Sequence, residues 1–364
     1  MHRWNDHLRT IDLTELDKQA HKAAITWILG KYEEDEGAKL DWEKIAVETL
    51  YSFISRLALT DLKPQVYHRI ADEKAKEVNE FVLKEFDTRV PETSKKFRNG
   101  LVTYLANGEE HSTEGDIIRA AHYLATRWEF RTIYDANRSM YGIEQTRAEI
   151  DQQIYQYGNL AGVKKIMEDE SAFNIVDLIG QLRFQQRWAR TPRIPKTTVL
   201  GHSLMVADSI LLSDMDKGAG KRQIYNDFYT ALFHDLPEVL TKDVITPVKT
   251  SVGGLPELLE SYERELVESR IMPLIPEGWR DELRMMVFSP FEDVDDPVYG
   301  IRRGRDIKAC DNLAAYMEAQ TSIRYGISSK ALRDGVVTIR AKLEKNGKGI
   351  GAKSLIYSFD NMEI

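Results

Sequence analysis

The sequence predicts an all-α protein made of two similar helical halves in tandem. Apolar residues recur at three- and four-residue spacing through long stretches, and no series of alternating, strand-like segments is present. Several short motifs of the first half also return, in the same order, in the second. The stretch KIAVETLYSFISRLAL (44–59) reads as an amphipathic helix, as do LMVADSILLSDM (204–215) and LPELLESYERELVESRI (255–271). Charge-rich GKYEEDEGAK (30–39) and DMDKGAGKRQ (214–223) read as solvated loops between helices.

The repeat sets the domain organisation. Arg3-Trp4 returns as Arg187-Trp188, 184 positions later, and the triplet Tyr141–Ile143 returns at the same offset as Tyr325–Ile327. Between them IRAAHYLA (118–125) lies against IKACDNLA (307–314), and ETLYSF (48–53) against TALFHD (230–235). The expected division is 1–160 and 161–364, with the halves packed as a pseudo-dimer inside one chain. Across the repeat, His234-Asp235 meets Ser52-Phe53, Asp311 meets His122, and His202 meets Lys18. The first half therefore reads as a scaffold copy without its own reaction centre.

Composition narrows the function. A net charge of -8 and pI of about 5.6 argue against polymeric nucleic acid or an anionic membrane as partner. No run of about 18 apolar residues occurs, and MHRWNDHLRT has no signal-peptide pattern, so a cytoplasmic location is expected. The single cysteine, Cys310, forms no intrachain disulfide, fits a reducing compartment and reads as a core residue.

Polar residues interrupt three apolar helices of the second half. His202 lies at the start of GHSLMVADSILL, His234-Asp235 close IYNDFYTALFHD, and Asp311 sits inside DIKACDNLAAYMEA. A buried, unpartnered carboxylate is costly, and one divalent cation shared by all four groups removes that cost. Two imidazoles and two carboxylates suit Mn, Co, Fe or Zn better than Mg. Open coordination positions would then serve water activation and a phosphoryl oxygen.

The ordered set, His, then His-Asp 32 residues on, then Asp after a further 76, resembles the HD-domain metal-dependent phosphohydrolases. Arg187-Trp188, then His202, then HDLPEVLTKDVITPVK (234–249) is similar in particular to the bacterial 5'-deoxynucleotidases of the YfbR-like family. The resemblance implies that His202, His234, Asp235 and Asp311 hold the metal. It also implies that Glu238 manages the attacking water, Arg187 holds phosphate and Trp188 packs on the sugar, with Asp243 and Thr246 contacting the nucleotide. That family carries a carboxylate just before the first ligand histidine, where this chain has Gly201.

The expected activity is release of phosphate from (deoxy)nucleoside 5'-monophosphates, with a small-molecule nucleotide as partner. Two alternatives stay open. One is a different reaction of the same superfamily, on a dNTP or a cyclic nucleotide, for which Lys242, Lys249, Arg302 and Arg303 are available cations. The other is a nucleotide-binding protein without turnover. A monomeric pseudo-dimer is expected, and a higher homo-oligomer stays open.

Overall fold

The computed structural model describes residues 1–60, 64–107, 112–242 and 254–362. The first part contains α1 (Glu15–Asp35), α2 (Trp42–Leu59), α3 (Pro64–Arg89), α4 (Lys95–Asn107), α5 (Thr113–Asn137), α6 (Ile143–Tyr155), α7 (Ala161–Glu168) and α8 (Glu170–Gln181). The second contains α9 (Val199–Lys217), α10 (Lys221–Phe233), α11 (Glu238–Thr241), α12 (Leu255–Leu266) and α13 (Glu277–Val287). A short antiparallel pair, β1 (Asp293–Asp296) and β2 (Gly300–Arg303), precedes α14 (Gly304–Arg324), α15 (Lys330–Asn346) and α16 (Ala352–Asn361). The all-α expectation holds, with this hairpin as the one departure among the described residues. Its strands, DVDD and GIRR, are too short and too charged to show an alternating apolar pattern.

Both loop expectations need correction. Residues 30–35 belong to α1, because Lys31 pairs with Glu34 and Glu282, both at 3.0 Å, and Trp42 Nε1 donates to Glu34 at 2.7 Å. Partners from elsewhere in the fold thus hold charges that read as solvated. In 214–223, α9 runs on to Lys217 and α10 starts at Lys221, so the loop shrinks to three residues. Gly218 ends α9 with φ of 67°, a conformation that a side chain would strain.

The halves share one continuous core. Trp27 of α1 is 1% exposed and meets Phe233 and Trp279 edge-on, with ring centroids 5.3 and 5.8 Å away. Its indole N–H donates to Tyr225 Oη at 2.9 Å, which satisfies the ring's one polar group. Trp42 of α2 lies against Tyr225 and Tyr229 of α10. The pairings α1 with α9 and α2 with α10 join helices that the repeat makes equivalent. Residues 161–181 cross back over α1, where Gly162 comes so close that a Cβ would lie 2.9 Å from Leu29 Cα. Removing the largest side chain of this seam, as Trp27→Ala, should cost about 3–5 kcal/mol in a urea titration. A loss below about 1 kcal/mol would show that the seam carries little of the stability.

Local hydrogen bonding repeats with the sequence. Thr14 and Thr198 cap α1 and α9, accepting from the N–H groups of Asp17 and Gly201. Arg3 N donates to Leu13 O and Arg187 N to Thr197 O. Trp4 and Trp188 share a positive φ, 54° and 56°. Trp4 and Arg3 both donate to Glu129, and Trp188 and Arg187 both donate to Glu318.

Candidate metal centre

Three mutually packed helices, α9, α10 and α14, build the site. The Thr198 cap fixes the first turn of α9 and places His202, fully buried, on its inner face. α10 stops at Phe233, and the chain turns through His234-Asp235-Leu236-Pro237 into α11. Bonds from Leu236 N to Phe233 O and from Glu238 N to Asp235 O hold that turn. α14 supplies Asp311 and, seven residues on, Glu318 on the same inward face.

His202, His234 and Asp311 converge, each offering a ligand atom within 4.8 Å of the others. His234 Nδ1 lies 2.7 Å from Ala231 O, an acceptor, which fixes the ring with Nε2 facing the cluster. That Nε2 is 3.2 Å from Asp235 Oδ1, which brings the fourth expected ligand to the cluster. His202 Nε2 lies 2.9 Å from Asp311 Oδ1, and its Nδ1 is 3.4 Å from Glu318 Oε1. A carboxylate behind a histidine, fixing its ring so that the other nitrogen faces inward, is the usual support for a metal-binding imidazole. His202, His234 and Asp311 fit a divalent first-row cation in donor type and arrangement, with Asp235 beside His234.

Glu318 is the residue that sequence reasoning missed. Its side chain is fully buried, and it accepts from Thr197 Oγ1 at 2.6 Å, Trp188 Nε1 at 3.0 Å and Arg187 Nε at 3.3 Å. Burial alone would raise its pKa, but Arg187 and His202 overcome this and hold it ionised well below the usual carboxylate range. His202 is pulled both ways. Burial and Arg187 lower its pKa, while Glu318 and Asp311 raise it above the ordinary imidazole value. The signal in the sequence was its position seven residues after Asp311, matching Glu129 seven after His122.

Arg187 is held at Nε by Glu318 and reaches within 3.7 Å of Asp235 with Nη1. Burial works against its charge, but Glu318, Asp235, Asp311 and Glu238 together raise its pKa further above the guanidinium value. Trp188 is fixed by its bond to Glu318, with its ring edge packed towards Gly335 of α15. Lys308, one turn before Asp311, sits 2.7 Å from Asp311 Oδ2 and 4.1 Å above the Phe291 ring. Glu238 opens α11 beside the ligand turn. Asp243, Thr246 and Lys249 lie outside the described residues. Arg302 does not serve the site: its guanidinium is buried and donates to the carbonyls of Met285, Ser289 and Glu292.

A carboxylate from the first half lies against Gly201. A Cβ on Gly201 would fall 2.8 Å from Asp17 Oδ1, and that oxygen accepts from Thr198 Oγ1 at 2.5 Å. Asp17 is the repeat counterpart of Gly201, 184 positions earlier, so the two positions face each other across the seam. Two carboxylates there would repel within a buried space, and one Asp with one Gly avoids the conflict.

The site thus gathers His202 from α9, His234-Asp235 from the turn after α10 and Asp311 from α14. Residues 174–348 match the family model described as 5'-deoxynucleotidase YfbR-like. Among curated relatives, the 5'-deoxynucleotidase of Shewanella oneidensis is 26% identical over 151 residues, 41% of this chain and 73% of the relative. The 5'-deoxynucleotidase YfbR of Escherichia coli is also 26% identical over 151 residues, covering 41% and 72%. Among solved structures, an HD-domain phosphohydrolase from Listeria innocua covers 52% of this chain and 86% of its own, with 19% identity and a TM-score of 0.40.

Proposed function

We propose that the chain is a metal-dependent phosphohydrolase that releases phosphate from (deoxy)nucleoside 5'-monophosphates, using His202, His234, Asp235 and Asp311 as ligands to one divalent transition metal. The observation that carries the reading is the convergence of His202, His234 and Asp311 within 4.8 Å, with His234 Nε2 turned inward by its own backbone bond. Mn, Co, Fe or Zn suits the mixed nitrogen and oxygen donors better than Mg. Such a metal, when bound, lowers the pKa of water and polarises a phosphoryl group.

The chain's own residues do the rest. Arg187, braced by Glu318, keeps a planar, permanently charged fork at the edge of the ligand set, where it holds phosphate and offsets charge that develops on it. Lys308 adds a second cation on the Asp311 side. Glu238 takes the proton from the attacking water. Trp188 lines the sugar, and Asp243 and Thr246, which follow α11 in sequence, contact the nucleotide. The buried use of Arg302 favours a monophosphate over a triphosphate, since it removes one cation that longer phosphate chains would need. Residues 1–160 act as a degenerate copy on which 161–364 carries the chemistry, so a monomeric pseudo-dimer is the assembly we favour. Among the described residues no helix is long and apolar enough to cross a membrane, and the buried free thiol of Cys310 supports residence in the reducing cytoplasm.

The test is a phosphate-release screen over dAMP, AMP, dATP and cAMP, each with and without added Mn or Co. Release from the monophosphates, dependent on metal, is the expected result. Silence on all four substrates with metal present would rule the reading out. Glu238→Ala should lower turnover by about 10²–10⁴ while metal content stays at the wild-type level. Loss of metal together with activity would instead make Glu238 a ligand.

A further inference from the structure

The first half holds a second side-chain cluster where the repeat puts the reaction centre. Lys18 stands at the position of His202, His122 at that of Asp311, Ser52 at that of His234 and Arg56 at that of Glu238. Lys18 is fully buried, with its ammonium 3.0 and 3.2 Å from the ring nitrogens of His122. Lys22, one turn on and also buried, donates to Ser52 Oγ. Arg3, the counterpart of Arg187, donates to Glu15 at 2.8 Å and to Glu129 at 2.9 Å, and Arg56 lies 3.8 Å from Glu15.

The sign of the charge is inverted between the two centres. Around Arg187 stand Asp235, Asp311, Glu238 and Glu318, an excess of carboxylates that calls for a cation. In the first half, Arg3, Lys18, Lys22 and Arg56 surround His122, and among the described residues Glu15 and Glu129 counter them. Glu129 is shared further with the buried Arg183, 3.0 Å away. A buried excess of positive charge is costly, and it resolves either by loss of protons or by a bound anion. Burial and the neighbouring cations already pull Lys18 well below the usual lysine value, and burial pulls Lys22 to about 8. An anion at this place would restore both charges. Ser52, Arg56 and His122 are partly exposed, so the cluster reaches the surface.

We propose that this cluster is a binding site for a phosphate-class oxyanion, held directly by Lys18, Lys22 and Arg56 with Arg3 behind them, and needing no metal. The same chemistry would take free inorganic phosphate or the phosphate of a nucleotide. The inference stands apart from the nucleotidase reading, because it concerns binding in the other half and requires no turnover.

The experiment is isothermal titration of the full chain, stripped of metal by a chelator, with inorganic phosphate and then with dAMP. Saturable binding is expected, weakened at least about tenfold by Arg56→Gln and by Lys18→Met, as the loss of a charge-assisted contact implies. Tighter binding of dAMP would assign a nucleotide, and equal affinity would assign free phosphate. Arg56 is partly exposed, so its variant carries the test if Lys18→Met does not fold. No binding of either anion, or binding indifferent to Arg56→Gln, would overturn the proposal and leave the ammonium groups as fillers of the old metal position.

Discussion

Asp311→Ala should leave the protein folded but unable to keep its metal, with phosphate release falling to background. Outer partners of a metal ligand are already worth about 10–100-fold in affinity or activity, and a direct ligand should cost at least the upper end of that range. The geometry makes Asp311 the hardest ligand to replace. It faces His202 Nε2 at 2.9 Å, comes from a separate helix, and has Lys308 on its other oxygen. Metal analysis after gel filtration checks the first effect, and a phosphate assay checks the second. Retained metal with lost turnover would move Asp311 from ligand to substrate contact.

Glu318→Ala should cost as much stability as the loss of Trp27, about 3–5 kcal/mol. The substitution takes from the partly buried Arg187 its nearest carboxylate and removes the acceptor used by Trp188 and Thr197. It also takes away the support behind His202, so metal binding weakens in the part of the population that folds. Glu318→Gln keeps the volume and one acceptor oxygen and should lose less. Because Glu129 holds Arg3, Trp4 and Arg183 in the same manner, Glu129→Ala should match the loss seen at Glu318. Chemical denaturation of both variants checks this, and a near-neutral result at Glu318 would remove it as the organiser of the centre.

The proposed metal ligands stood out in the sequence because each is an unusual residue beside an apolar helix face, and the structure brings His202, His234 and Asp311 together. Glu318 was not, since its partners lie 121 to 131 positions away and a lone Glu on a helix reads as surface. Its buried state is decided by Arg187, which only the fold brings near. The neighbour of Gly201 was hidden for a related reason: the departure was visible, but not that Asp17 of the first half lies against it. Helical periodicity gave the bundle, whereas the end of α1 and the β1–β2 hairpin depend on tertiary partners and short polar strands. The repeat was legible as a few matched words, and the paired bonds of Arg3-Trp4 and Arg187-Trp188 show what those words do.

We propose a single working centre, in the second half of the chain. Titrating the metal-stripped chain with Mn while following phosphate release from a deoxynucleoside 5'-monophosphate tests this most directly. Turnover should rise with added metal and level off at about one equivalent per chain, the single ligand set of the second half. No release at any metal level, or a plateau at about two equivalents, would contradict it.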